Sequence, residues 1–243
     1  MHSKKWIALV VLLTATRVMA AEPAEEQAEK KSKWNGEAEL GLVNTTGNTE
    51  TESFVLKAKV INTRDKWKHT VRGEALRKAD NEVVNAERYF LSGKSQYTFR
   101  DRSYLFGLVN YDDDRFNGFD YQLLGVLGYG RVVWETETVE LDLEVGAGGR
   151  HSVLDTGQTN DEAVFRAAGD FEWKISKNAT FIQELSADYG SDATITRSLT
   201  ALTAKINSYL SSRIAYQLRH TSKVPPGIEK TDTELTFTLV AKY

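Results

Sequence analysis

The residues able to do chemistry in this chain are charged side chains spaced two apart. Lys57 and Lys59, Arg72 and Glu74, and Glu140, Asp142 and Glu144 follow this spacing, and Arg166, Asp170, Glu172 and Lys174 sit at even intervals on one further segment. Glu37, Glu39, Arg88, Lys94, Glu184, Asp188, Asp232 and Glu234 extend the set. Acids and bases are mixed, so the chemistry on offer is ion pairing or ion passage. The run Asp112-Asp113-Asp114 is the densest acidic stretch. Its carboxylates suit a hard divalent cation, but it lacks the spaced ligands and central glycine of a calcium loop. A network positioning a loop, with Arg115 as a partner, is the competing reading. Beyond the first residues the histidines are His69, His151 and His220. A serine–histidine pair needs a serine on a neighbouring element and a third group to orient the ring. His69 and His220 fall on apolar faces with no evident serine at matching depth, and no Gly-x-Ser-x-Gly elbow occurs. The expectation is a protein without catalytic residues or cofactor, with a lipid hydrolase as the remote alternative.

These side chains must be positioned by elements of period two. In residues 163–175, Phe165, Ala167, Gly169, Phe171, Trp173 and Ile175 share one face, and Val164, Arg166, Ala168, Asp170, Glu172 and Lys174 the other. Leu141, Leu143, Val145 and Ala147 likewise oppose Glu140, Asp142 and Glu144, and Phe54, Leu56, Ala58 and Val60 oppose Lys57 and Lys59. A helix would scatter these sets around its circumference, whereas a strand separates them. About twelve segments show the pattern: 34–45, 51–62, 66–77, 86–99, 103–112, 120–133, 138–150, 162–175, 179–189, 198–206, 212–221 and 231–243. The three prolines, Pro23, Pro225 and Pro226, all fall outside them, as strands that donate every N–H require.

The composition is 41% hydrophobic and 27% charged, which excludes a bundle of membrane-spanning helices. It leaves a transmembrane β-barrel open, because a barrel strand shows lipid only every second side chain. The net charge of -3 gives no reason to expect a nucleic-acid partner, and the absence of cysteine excludes disulfides. The expected fold class is all-β, a transmembrane antiparallel up-and-down barrel of about 12 strands over residues 34–243. A charge facing lipid near the midplane costs about 2–4 kcal/mol, so the charged face must line a lumen.

The N-terminus reads as a secretory signal peptide over residues 1–20. Lys4 and Lys5 precede the apolar stretch from Trp6 to Ala15, and Val18-Met19-Ala20 forms a small-x-small cleavage site. Residues 21–33 read as a periplasmic tether. Connections alternate between short turns and longer stretches such as 151–161, 190–197 and 222–230, so the longer ones are expected outside the cell and both termini in the periplasm. Leu235, Phe237, Leu239, Ala241 and Tyr243 occupy every second position to the end of the chain. This pattern resembles the signal read by outer-membrane barrel assembly machinery. The expected location is therefore the cell outer membrane, with its lipids and that machinery as partners.

Several stretches resemble the salt-induced outer-membrane protein family of bacteria. They are residues 34–41 from Trp34 to Gly41, Thr46-Gly47-Asn48-Thr49, Tyr111-Asp112-Asp113-Asp114-Arg115-Phe116, Gly118-Phe119-Asp120-Tyr121, Val224-Pro225-Pro226-Gly227 and Lys230-Thr231-Asp232-Thr233. The resemblance spans the mature chain and implies an outer-membrane barrel connected with osmotic or salt stress, with no catalytic assignment. Two functions follow as expectations: a narrow, porin-like channel for small solutes or ions, or a non-conducting barrel that supports the envelope.

Overall fold

The computed structural model describes residues 32–46, 51–80, 83–114 and 118–242. The expected signal peptide, most of the expected tether, and Tyr243 of the terminal motif lie outside them. The described chain forms twelve strands: β1 (Lys33–Thr46), β2 (Thr51–Arg64), β3 (Trp67–Asp80), β4 (Val83–Arg100), β5 (Ser103–Asp114), β6 (Phe119–Glu135), β7 (Val139–Leu154), β8 (Thr159–Lys174), β9 (Ala179–Gly190), β10 (Thr194–Lys205), β11 (Leu210–Thr221) and β12 (Thr231–Lys242). Each pairs antiparallel with its sequence neighbours, and β12 returns to β1 to close the barrel. The closing ladder runs from Glu37 opposite Lys242 to Thr46 opposite Thr233, so the sheet has no free edge. The fold is the all-β, twelve-stranded up-and-down barrel that the alternation predicts.

The strands outrun the expected segments at the end opposite the termini. β7 and β8 continue to Leu154 and Thr159, with His151, Ser152 and Val153 opposite Asp161, Asn160 and Thr159. A turn over residues 155–158 closes this hairpin, with Gly157 at φ 80°. The long connections expected over 151–161 and 190–197 therefore shrink to short turns. Polar residues on both faces hide these extensions from a period-two reading, although backbone hydrogen bonds still form there. Among the described residues, the segment between β11 and β12 is the one extended connection.

That segment crosses the barrel mouth. Its anchors are Thr221 N–H donating to the Lys230 carbonyl at 2.8 Å and Ser222 N–H donating to the Thr194 carbonyl at 2.9 Å. Gly118, just before β6, is buried at φ 72°, and a Cβ built on it would meet Pro225 Cγ at 2.9 Å and Ile228 Cγ1 at 3.4 Å. In a closed ring of twelve strands, the β5–β6 and β11–β12 connections stand on opposite sides. The Pro225-Pro226 segment thus spans the opening and rests on the far rim.

The outer wall is apolar on every strand. Leu40, Leu56, Val71, Leu91, Leu105, Leu127, Leu143, Phe165, Leu185, Leu202, Ile214 and Phe237, one from each of β1 to β12, are all exposed, with Leu127 at 75%. Trp34, Trp67, Trp134, Trp173 and Tyr209 are exposed at the end bearing the short turns and termini. A continuous apolar belt with an aromatic rim suits a bilayer and not water.

Inside, one stretch of wall is packed with apolar side chains. Tyr104, Phe106 and Leu108 of β5 form a buried cluster with Leu124 and Val126 of β6 and Val164 of β8. The glycines of β6 make room for the two rings. A Cβ at Gly128 would come within 2.6 Å of Phe106, and one at Gly130 within 2.3 Å of Tyr104.

A cross-braced charged lumen as the candidate functional site

Alternation sends every second side chain inward, and closure of the ring brings distant strands face to face. Arg72 of β3 donates two hydrogen bonds to Glu184 of β9, at 2.8 and 3.1 Å. These strands lie six places apart in a ring of twelve, so the pair spans the lumen. Lys94 of β4 bonds Glu144 of β7 at 2.5 Å, and the Tyr104 hydroxyl donates to the same carboxylate at 2.8 Å. Nearer the covered mouth, Arg219 of β11 reaches Asp112 of β5 at 3.1 Å, again across six strands, and Asp114 at 3.5 Å. Arg197 of β10 lies between Asp188 at 3.0 Å and Asp112 at 3.4 Å. Arg88 joins Glu74 and Glu234, and Lys57 joins the same two acids. At the turn end Arg213 binds Glu37 and Glu39.

The expected lumen charges divide into three groups. Lys57, Arg72, Glu74, Glu144 and Arg166 face inward and are ion-paired, Arg166 to Asp188 at 2.6 Å. Lys59, Asp142 and Asp170 line the same cavity, which measures about 330 Å³, without an ion pair among the described residues. Glu140, Glu172 and Lys174 share the inward parity but are exposed toward the turn end of β7 and β8.

The register does not pair the acids of β7 with the bases of β8. It sets Glu140 opposite Glu172 and Asp142 opposite Asp170, and it places Glu144 against Ala168. Like charges therefore stand side by side on this wall. The compensating bases lie on other strands, because the slant of the ladders around a closed barrel, and not sequence adjacency, decides which inward side chains share a level.

Alternation also splits the acidic run. Asp112 and Asp114 point inward to Arg219, while Asp113 has the opposite parity. No group of three or more His, Asp or Glu able to hold a metal occurs among the described residues. Asp112 and Asp114 anchor arginines across the lumen. Arg150, Arg197, Arg213 and Arg219 were not singled out in the sequence. The signal that marks two of them is local: Arg213, Ala215, Gln217 and Arg219 alternate with Ile214, Tyr216 and Leu218.

One further correction concerns His69. Its cross-strand neighbour on β4 is Ser95, and Ser95 Oγ lies 2.9 Å from His69 Nδ1 on the outer wall. A serine at matching depth therefore exists. The His69 ring stacks on Trp67 at 5.6 Å, and no acid among the described residues is paired with it. The pair thus lies in the aromatic rim and lacks the orienting carboxylate of a triad. On β12, Leu235, Phe237 and Leu239 alternate outward with Glu234, Thr236 and Thr238 buried between them.

The family described as "Protein of unknown function, DUF481" matches residues 38–243. The chain belongs to that family. The family's description carries no reference to salt. An Escherichia coli K12 relative described as "Uncharacterized protein YdiY" is 27% identical over 220 residues, covering 88% of this chain and 85% of the relative. Among solved structures, the NanC porin matches with a TM-score of 0.58 at 10% identity, covering 84% of this chain and 98% of that one. The COG4313 outer membrane channel from Pseudomonas putida F1 matches at 0.51 and 8% identity, covering 91% and 100%. At these identities the likeness is one of fold: this DUF481 member has the architecture of outer-membrane barrels.

Proposed function

We propose that the protein is an integral outer-membrane channel of narrow bore for small solutes or ions, held closed at rest by ion pairs across its lumen. The observation that carries this reading is the bidentate Arg72–Glu184 pair, which crosses a lumen lined mostly by polar and charged residues. A barrel built only to support the envelope could fill its interior with apolar side chains, as the Tyr104–Phe106 wall does locally. Replacing buried ion pairs with well-packed apolar groups is often neutral or stabilising, so charges retained at mid-lumen favour a role in passage over one in stability. The porin fold and the apolar outer belt support an outer-membrane location. A link to salt or osmotic conditions rests on the sequence resemblance.

The test is single-channel conductance in planar bilayers, comparing the wild type with the double variant Arg72→Ala/Glu184→Ala. Removing both partners should raise conductance without preventing assembly, since lumen substitutions tune passage more than stability. If neither protein conducts, the channel reading gives way to the non-conducting envelope barrel.

A further inference from the structure

At the level of the Arg72–Glu184 pair the lumen sorts its charge by wall, while Glu74 and Arg166 on the same strands are paired nearer the covered mouth, with Lys57 and Arg88 and with Asp188. Lys59, Arg72 and Lys94 stand on β2, β3 and β4, while Glu144, Asp170 and Glu184 stand on β7, β8 and β9. The Arg72–Glu184 and Lys94–Glu144 pairs join the two walls at 2.8 and 2.5 Å. Each wall also carries charge beyond these pairs. Lys59 is the cross-strand neighbour of Arg72, and Asp142 that of Asp170, so like charges adjoin on both sides. Such neighbours repel, and a counter-charge arriving between the walls relieves them. Asp142 Oδ1 is buried and without a hydrogen-bond partner.

Passage requires Arg72 and Glu184 to part, and their chemistry decides what can part them. A neutral solute leaves both charges uncompensated. A cation satisfies Glu184 and abandons Arg72, and an anion does the reverse. Breaking a desolvated pair on one side only leaves an uncompensated charge, which is the costly outcome. A solute carrying both charges satisfies both walls at once. Its carboxylate takes the planar, two-pronged guanidinium that now holds Glu184, and its ammonium takes the Glu184 carboxylate, with Asp170 and Asp142 alongside. The cavity of about 330 Å³ falls in the range of ~300–1,000 Å³ usual for small-molecule sites.

We infer that the solute of this lumen is a small dipolar ion bearing a carboxylate and an ammonium group, seated between Arg72 and Glu184. The inference rests on the channel reading and names its substrate class. The experiment measures osmotic swelling of proteoliposomes in alanine and in lactamide, its neutral isomer, with rates corrected for protein-free vesicles. Wild type should admit alanine several-fold faster than lactamide. The isosteric, uncharged double variant Arg72→Gln/Glu184→Gln should bring that ratio to one. Equal rates in wild type, or a ratio unchanged in the variant, overturns the inference. If wild type admits neither solute, the channel reading fails, and equilibrium dialysis of radiolabelled alanine against the detergent-solubilised protein decides the site by itself. Binding that the double variant loses upholds it, and no binding overturns it.

Discussion

Arg72 and Glu184 meet across the full width of the barrel, guanidinium to carboxylate, at 2.8 and 3.1 Å. They are 112 residues apart in the chain and six strands apart in the ring. The consequence for stability is an asymmetry between single and double substitution. Arg72→Ala alone strands a part-buried carboxylate on the acidic wall and should destabilise the barrel by up to about 3–5 kcal/mol, the upper figure applying to a fully buried pair. The double variant Arg72→Ala/Glu184→Ala should cost less than either single change. Equilibrium unfolding in detergent with urea measures all three, and additive losses would show that the two side chains act independently.

The outer wall makes a second prediction. Leu127 is 75% exposed on β6, while its chain neighbour Val126 is 3% exposed inside. Leu127→Arg should cost about 2–4 kcal/mol if the site lies near the bilayer midplane, and Leu127→Met should be nearly neutral. Folding into lipid vesicles, followed by the heat-dependent shift in gel mobility, reports the difference. Equal tolerance of both substitutions would contradict a lipid-facing wall.

A third prediction concerns the inner aromatic wall. Gly130 lies against the Tyr104 ring, which is 5% exposed and is tied by its hydroxyl to Glu144 at 2.8 Å. A methyl group at Gly130 would approach that ring to 2.3 Å, so one of them must move. Gly130→Ala should destabilise by about 1–3 kcal/mol, the usual penalty for overpacking. Gly93→Ala, where a Cβ meets nothing within 4 Å, is the matched control. The same unfolding measurement separates them, and equal losses would mean that the ring yields freely.

The strap across the mouth gives a fourth. Gly118→Val places a branched side chain where Pro225 Cγ stands 2.9 Å from the Cβ position, at a φ of 72° that β-branched residues avoid. Residues 222–230 should then lift from the rim. Limited proteolysis should cut the variant at Lys223 or Lys230 faster than wild type while the strands stay intact. An unchanged cleavage rate would mean that the Pro225 contact does not hold the segment in place.

How much of this was legible in the sequence follows from which forces are local. The pleat of a strand turns successive side chains to opposite faces whatever the tertiary context, so the faces of Phe165 and Arg166, or of Leu143 and Glu144, follow from order in the chain alone. Twelve alternating segments without an interior proline determined the barrel, its strand count and the identity of most inward charges. Where both faces turn polar, as from Thr159 to Glu162, the signal vanishes although the ladder continues. Partnership across the lumen was not legible. It depends on how far each ladder slips relative to the next, summed around the ring, and a slip of one residue exchanges the faces while a slip of two changes every partner. Only the closed structure sets Asp142 beside Asp170 instead of a base, brings Arg219 to Asp112, puts Ser95 beside His69 and lays Pro225 on Gly118. The sequence by itself determined which side chains enter the lumen, and the tertiary structure decided which of them meet, because facing is a property of one strand and pairing a property of all twelve.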